Sequence, residues 1–158
     1  HPKSREVALD AVRDAASDLA ERDAFVLFPE GGNFTPKRRQ RVIASFERKG
    51  LADDAAYARS LVNVLPPHPA GPIAALDQSP DADVVFVAHT GTEDLISPSV
   101  IWHGLPFGRR VVANYWHVDR ALVPTDDDER VAWLNGQWLA MDDWIGTHRI
   151  TPVIEESP

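Results

Sequence analysis

Apolar residues recur at helical spacing in two long stretches of the chain. The first covers residues 4–23 and predicts an amphipathic helix. The second predicts a closing helix over residues 126–146, with an acidic first turn that suits the helix dipole. Its apolar stripe is typical of a core-facing helix and comprises Val131, Leu134, Trp138, Met141 and Ile145.

Further helices are predicted by their start and stop residues. Thr35 and Pro36 offer a capping hydroxyl followed by proline at the first helical position, and Gly50 suits the position after a helix end. Shorter helical segments are predicted over residues 51–61 and 69–78.

Four short apolar runs predict strands, at residues 24–28, 62–65, 83–88 and 110–118. Such runs are too short for helices and are typical of buried strands. Because they alternate with the predicted helices, the sequence predicts an α/β fold, in which a mixed, largely parallel sheet is flanked by helices.

Composition restricts the classes of function. The chain has 158 residues, of which 44% are hydrophobic, which is enough for a single domain over residues 1–158. The net charge of −8 argues against a nucleic-acid partner, because phosphate backbones require a dominant basic surface. No run approaches the ~18 apolar residues of a membrane span. Since the first residue is His1, we expect the chain to be a fragment.

Glu30 stands out because it follows the apolar run 24–28 and precedes two glycines. Ligands of α/β sheets gather beyond the carboxyl ends of strands, and glycines let a ligand approach the backbone closely. Glu30 could therefore accept a hydrogen bond from a substrate hydroxyl. The alternative is a plain turn in which Glu30 is a solvated surface carboxylate.

The block Phe28-Pro29-Glu30-Gly31 resembles the F-P-E-G block of the glycerolipid acyltransferases, which transfer an acyl chain from a thioester to a lysophospholipid hydroxyl. Residues 48–51, 64–71 and 117–119 resemble the lysophosphatidic-acid and lysocardiolipin branch of that family. The family pattern continues with Thr-Arg, whereas this chain has Gly32-Asn33. The resemblance implies a substrate-binding segment formed by Phe28, Pro29, Glu30, Gly31, Gly32 and Asn33.

The catalytic block of the family, Asn-His-x4-Asp, is absent from the residues before Phe28. The resemblance therefore implies the C-terminal part of an acyltransferase αβ domain, without the half that carries the catalytic motif. It also implies a lysophospholipid acceptor and an acyl-CoA or acyl carrier protein donor. No metal or other cofactor is expected, and the intact protein is expected at the cytoplasmic face of a membrane.

His89 and Asp94 reproduce the His-x4-Asp spacing, but after the F-P-E-G block. With six histidines and 16 aspartates in the chain, about 0.6 pairs of this spacing arise by chance. A hydrolase that uses His89 and Asp94 is one alternative function. A non-catalytic module that binds a lipid or another anionic ligand is a second alternative.

A basic helix follows the F-P-E-G block in this acidic chain. Lys37, Arg38 and Arg41 could contact a phosphate group or an anionic membrane surface, at ~1 kcal/mol for each basic residue near such a surface. A solvated helix face explains the same charges equally well. His68, between prolines, could contact substrate or could be an ordinary loop histidine.

Overall fold

The computed structural model of the chain describes residues 2–91 and 110–149. These residues form a mixed helix-and-strand fold, as the sequence predicted at the level of class. The described elements are five α-helices and two strands, in the chain order α1 (Pro2–Ser17), α2 (Pro36–Arg48), α3 (Ala52–Ser60), α4 (Ala70–Gln78), β1 (Val84–Thr90), β2 (Val112–Val118) and α5 (Asp127–His148). A 3₁₀ turn (Arg120–Leu122) lies between β2 and α5.

The helix boundaries at α2 and α5 confirm the capping signals of the sequence. The Thr35 hydroxyl accepts the Arg38 N–H at 3.1 Å, and Pro36 is the first helical residue. Gly50 has φ +72°, the left-handed conformation that suits glycine just after a helix. The Asp126 carboxylate caps α5 by accepting the first free amides of that helix.

The first helix ends earlier than its apolar pattern predicted. α1 stops at Ser17, and a turn follows in which the Asp23 carboxylate accepts the Ala20 N–H at 3.0 Å. A short acidic side chain that binds a nearby amide gives the backbone an alternative to the helix. The predicted extension over residues 18–23 is therefore wrong.

The two described strands are antiparallel neighbours, with Val84 opposite Val118 and Thr90 opposite Val112. Alternate side chains of β1 face α5, among them Phe86 and Ala88, which are buried. The other face of the sheet is exposed and carries Val85, Val87 and Tyr115. The strands predicted at residues 83–88 and 110–118 are confirmed.

The strands predicted at residues 24–28 and 62–65 are wrong, since neither segment has regular secondary structure. A strand needs a neighbour that takes its backbone hydrogen bonds, and a short apolar run does not reveal whether one exists. Residues 62–64 instead donate their amides to the Asp142 side chain. As a result the sheet of the described residues is an antiparallel pair, and a largely parallel sheet is not found there.

Helix α5 organises the core. It packs on β1, while α1 packs on α4 and α2 packs on α3. The predicted stripe is buried at Leu134, Trp138, Met141 and Ile145. Trp138 meets Phe86 edge to face with ring centroids 6.0 Å apart, an arrangement that fixes the indole in one orientation. The indole N–H consequently points away from the core, toward the turn that contains Glu30.

Candidate functional site

Residues 29–32 form a turn whose shape depends on its two glycines. Gly31 has φ +66° and Gly32 has φ +149°, conformations that L side chains rarely adopt. A Cβ atom on Gly32 would lie 2.0 Å from Nη1 of Arg38. A Cβ atom on Gly31 would lie 3.5 Å from Cδ2 of the His68 ring. The missing side chain of Gly32 therefore lets the guanidinium lie against the turn, whereas Gly31 is required by its backbone conformation and would leave ordinary contact distance to the His68 ring.

The Glu30 carboxylate is partly buried and turned toward α5. Its Oε1 accepts the indole N–H of Trp138 at 3.2 Å. Burial raises the pKa of Glu30, while the Leu65 amide, the Trp138 indole and the Arg38 charge each oppose that rise. The sequence left two alternatives open for Glu30, a residue at the end of a strand or a solvated surface carboxylate. The structure shows neither, because Glu30 lies partly buried in a turn.

Arg38 belongs to the same turn although it lies on α2. Its Nη2 donates to the Gly31 carbonyl oxygen at 2.8 Å, and the guanidinium lies over Gly32. Among the described residues this one hydrogen bond occupies only part of the five-donor guanidinium, which leaves donors there for an incoming anion.

The other basic residues of α2 divide into two groups. Lys37 and Arg41 lie one helical turn apart, are exposed, and form no ion pair with any residue of the described ranges. Arg39, in contrast, donates to the carbonyl oxygens of Leu61 and Arg59 and so holds the end of α3. The structure thus places Lys37, Arg38 and Arg41 on one side of the helix start and assigns Arg39 to the fold.

His68 lies next to the turn. From the sequence, His68 was either a residue that contacts substrate or an ordinary loop histidine. Its backbone N–H donates to the Pro29 carbonyl oxygen at 2.8 Å, and its exposed ring lies beside Gly31. No spacing signal could have found this contact, because 37 residues of irregular and helical chain separate Glu30 from His68.

The remaining residues of the predicted binding segment lie at the surface of the turn. Phe28 has 82% of its surface exposed, and the Asn33 side chain is also exposed. Pro29 contributes its carbonyl oxygen to His68 and is partly buried. The structure therefore brings together Glu30, Gly31, Gly32 and Arg38, and it leaves Phe28 and Asn33 open to solvent.

The hydrolase alternative stays a prediction. His89 lies on the exposed face of β1, and Asp94 lies outside the described ranges. A different histidine–carboxylate pair is present: His117 Nε2 lies 2.7 Å from Asp83 Oδ2, and both side chains are about half exposed. The Arg120 amide and then the His117 side chain lower the pKa of Asp83.

In the part of the chain that the structure describes, no group of three His, Cys, Asp or Glu residues could hold a metal ion. None of the described helices is both long enough and apolar enough to cross a membrane. Comparison of the chain with protein-family models, curated proteins and solved structures gives no match.

Proposed function

We propose that the chain is the C-terminal part of a lysophospholipid O-acyltransferase and that the turn at Glu30 contributes to its acceptor site. The observation that carries the proposal is the environment of the Glu30 carboxylate. It is partly buried and accepts the Trp138 indole N–H, and the Arg38 charge, which belongs to the same turn, opposes the rise in its pKa that burial causes. A turn without a function needs no buried acid, because burying a carboxylate is costly.

The proposed reaction moves an acyl group from acyl-CoA or an acyl carrier protein to the free hydroxyl of a 1-acyl-glycerol-3-phosphate-like acceptor. A general base outside these residues takes the hydroxyl proton, and the thiol leaves the acyl carbon. In this scheme Glu30 orients the acceptor by accepting a hydrogen bond from it. The glycines allow the acceptor to approach the backbone of the turn.

Recognition of an anionic head group is proposed for the start of α2. Arg38 keeps free donors beside the turn, and Lys37 and Arg41 are exposed without ion pairs among the described residues. This local positive charge stands out in a chain whose net charge is −8. It would serve either the phosphate of the acceptor or the anionic surface at the cytoplasmic face of a membrane.

The finer fold is part of the same proposal. In the intact protein the sheet would be extended into a mixed, largely parallel one. Val26 and Phe28 support this extension, since 69% and 82% of their surfaces are exposed. Apolar side chains in a row at the surface are typical of a segment that another part of a protein covers.

A non-catalytic module that binds a lipid or another anionic ligand is the second candidate. It is favoured by the absence of the Asn-His-x4-Asp block in a chain that still presents Arg38, Lys37 and Arg41. This candidate shares the binding site with the acyltransferase and differs only in lacking the chemical step.

The proposed site is tested by titrating the chain with lysophosphatidic acid and, separately, with lysophosphatidylcholine, below their critical micelle concentrations. We expect tighter binding of lysophosphatidic acid, because only its phosphate is a terminal monoester. Arg38→Gln should weaken that binding about 10-fold or more, since a charge-assisted hydrogen bond is lost.

Arg48→Gln is the matched control, because Arg48 is on the same helix but bonds only to the Ala44 carbonyl oxygen. Equal weakening by both variants would show that the helix acts through its total charge. No binding of either lipid would overturn the proposal.

A further inference from the structure

Two side chains that can donate hydrogen bonds lie against one residue of the turn, Gly31. Nη2 of Arg38 donates to the Gly31 carbonyl oxygen at 2.8 Å. The position of a Cβ atom on Gly31 lies 3.5 Å from Cδ2 and 3.6 Å from Nε2 of the His68 ring. Gly31 and His68 are both exposed. A small ligand at Gly31 would therefore have a guanidinium and an imidazole beside it.

The backbone holds the His68 ring beside the turn. The His68 amide donates to the Pro29 carbonyl oxygen at 2.8 Å. The residue that follows is Pro69, which restricts the backbone of His68 to extended conformations. The chain before the turn is also packed on α4, since Cδ2 of Leu27 lies 3.4 Å from the Cβ position of Gly71. The ring is thus in place before a ligand arrives, which lowers the entropic cost of binding.

The two side chains suit a phosphate monoester. Among the described residues, the Arg38 guanidinium uses one bond to hold Gly31 and keeps other donors of its planar fork. An imidazole carries at least one N–H in either protonation state. A terminal phosphate offers three strong acceptor oxygens, so it can bind both groups. The carboxylate of Glu30 accepts the Trp138 indole N–H and is turned toward α5, which leaves the exposed side of Gly31 to an anion.

We propose that His68 is a phosphate-binding residue that acts together with Arg38 at Gly31 and gives the site a preference for phosphate monoesters. This inference rests on the proposed function only for the claim that the phosphate belongs to a lipid acceptor. The same two side chains would bind the phosphate of a lysophospholipid or a free phosphate. An ordinary loop histidine would contact neither.

The first test is a titration of this chain with glycerol 3-phosphate at constant pH, followed by nuclear magnetic resonance. This probe carries the phosphate monoester without an acyl chain. We expect the ring signals of His68 and the Gly31 amide to shift together and to saturate at one affinity. Glycerophosphocholine, a phosphodiester, should bind about 10-fold more weakly or less. The ring of His148 is the internal control, because it is exposed at the end of α5 and bonds to the Trp144 carbonyl oxygen.

The second test uses variants of His68. His68→Ala should weaken glycerol 3-phosphate binding about 10-fold or more, since a hydrogen bond to a charged group is lost. The fold should be retained, because the side chain is exposed and the bond to Pro29 comes from the backbone. His68→Gln should bind more tightly than His68→Ala, because its amide supplies a donor. His148→Gln is the matched control and should bind like the wild type.

Wild-type affinity in His68→Ala, or equal shifts of the His68 and His148 rings, would overturn the proposal. Absence of saturable binding would also overturn it. If glycerol 3-phosphate shifts Gly31 while the His68 ring does not respond, this inference fails and the role of Arg38 in the proposed function stands.

The source of the phosphate is tested by repeating the titration with inorganic phosphate and with lysophosphatidic acid. Tighter binding of lysophosphatidic acid would support a lipid acceptor. Equal affinities would support a site for free phosphate, which keeps the inference on His68 and removes the lipid from the proposed function. In both cases His68→Ala must weaken binding.

Discussion

The Arg38 guanidinium lies so close to Gly32 that a side chain at position 32 would have to displace it. A Cβ atom on Gly32 would lie 2.0 Å from Nη1 and 2.6 Å from Cζ of Arg38. The guanidinium therefore occupies the space that any larger residue at position 32 would take. After the F-P-E-G block this chain has Gly32-Asn33 where the resembled family has Thr-Arg. The Arg38 side chain, which extends from α2, places a guanidinium beside Gly32.

Gly32→Ala should displace the Arg38 guanidinium from the turn. We expect a loss of stability of about 1 kcal/mol from the backbone conformation, together with weaker binding of lysophosphatidic acid. Gly50→Ala is the control, because Gly50 also has positive φ but has nothing within 4 Å of an added Cβ. Urea unfolding should show both losses of stability. Equal lipid binding by the two variants would contradict a role for Arg38.

Glu30→Gln should change how stability depends on pH. Burial raises the pKa of Glu30 above its ordinary value of 4.5, so the folded state favours the protonated acid. This contribution to stability is fully present below pH 4.5 and is lost as the pH rises through the raised folded pKa. The neutral amide does not titrate, so the difference in unfolding free energy between the wild type and Glu30→Gln should drift in favour of the variant as the pH rises.

The measurement is urea denaturation of both proteins between pH 4 and pH 8. Asp83, whose pKa is lowered, does not disturb it, because the same carboxyl is present in both proteins and its contribution cancels in the difference. A difference between wild type and variant that stays constant with pH would show that the Glu30 carboxylate titrates as an exposed group.

Trp138→Phe should remove the indole donor while keeping an aromatic ring in the core. We expect a loss of about 1–3 kcal/mol of stability and a further rise of the Glu30 pKa, since a bond to its ionised form disappears. Trp133→Phe is the control, because Trp133 also meets Phe86, at 5.4 Å, and has no bond to Glu30. If both variants leave the Glu30 titration unchanged, the indole bond has no effect on the acid.

The chain alone should not transfer acyl groups from acyl-CoA to lysophosphatidic acid. The proton acceptor of the resembled family is absent from its sequence, and general-base assistance is typically worth about 10² to 10⁴-fold in rate. A radiolabelled transfer assay measures this directly. Transfer by the wild type that disappears in His89→Ala would instead assign the chemistry to His89.

Local signals in the sequence predicted helices better than they predicted strand pairing. Thr35, Pro36 and Gly50 determine the start and end of α2 through bonds within a few residues, so the sequence was sufficient there. Residues 24–28 and 62–65 looked like strands because they are apolar. Whether such a run pairs depends on partners elsewhere in the chain, and the amides of 62–64 go to Asp142, about 80 residues away.

The candidate site was predictable only in part for the same reason. The unusual order of residues 28–32 drew attention to Glu30, and its glycines do have the special backbone conformations expected. Its partner Trp138 carried no such signal. The apolar stripe predicted that Trp138 is a core residue, which it is, but the pattern did not predict that its indole N–H donates to Glu30.

The most direct test of the central claim is a lysophosphatidic acid titration followed at individual residues by nuclear magnetic resonance. If the acceptor binds at the turn, the amides of Gly31 and Gly32 and the indole N–H of Trp138 should shift together and saturate at one affinity. Glu30→Gln should weaken that affinity about 10-fold or more. Saturable shifts confined to the exposed sheet face around Val87 and Tyr115, with these three probes unmoved, would contradict the account.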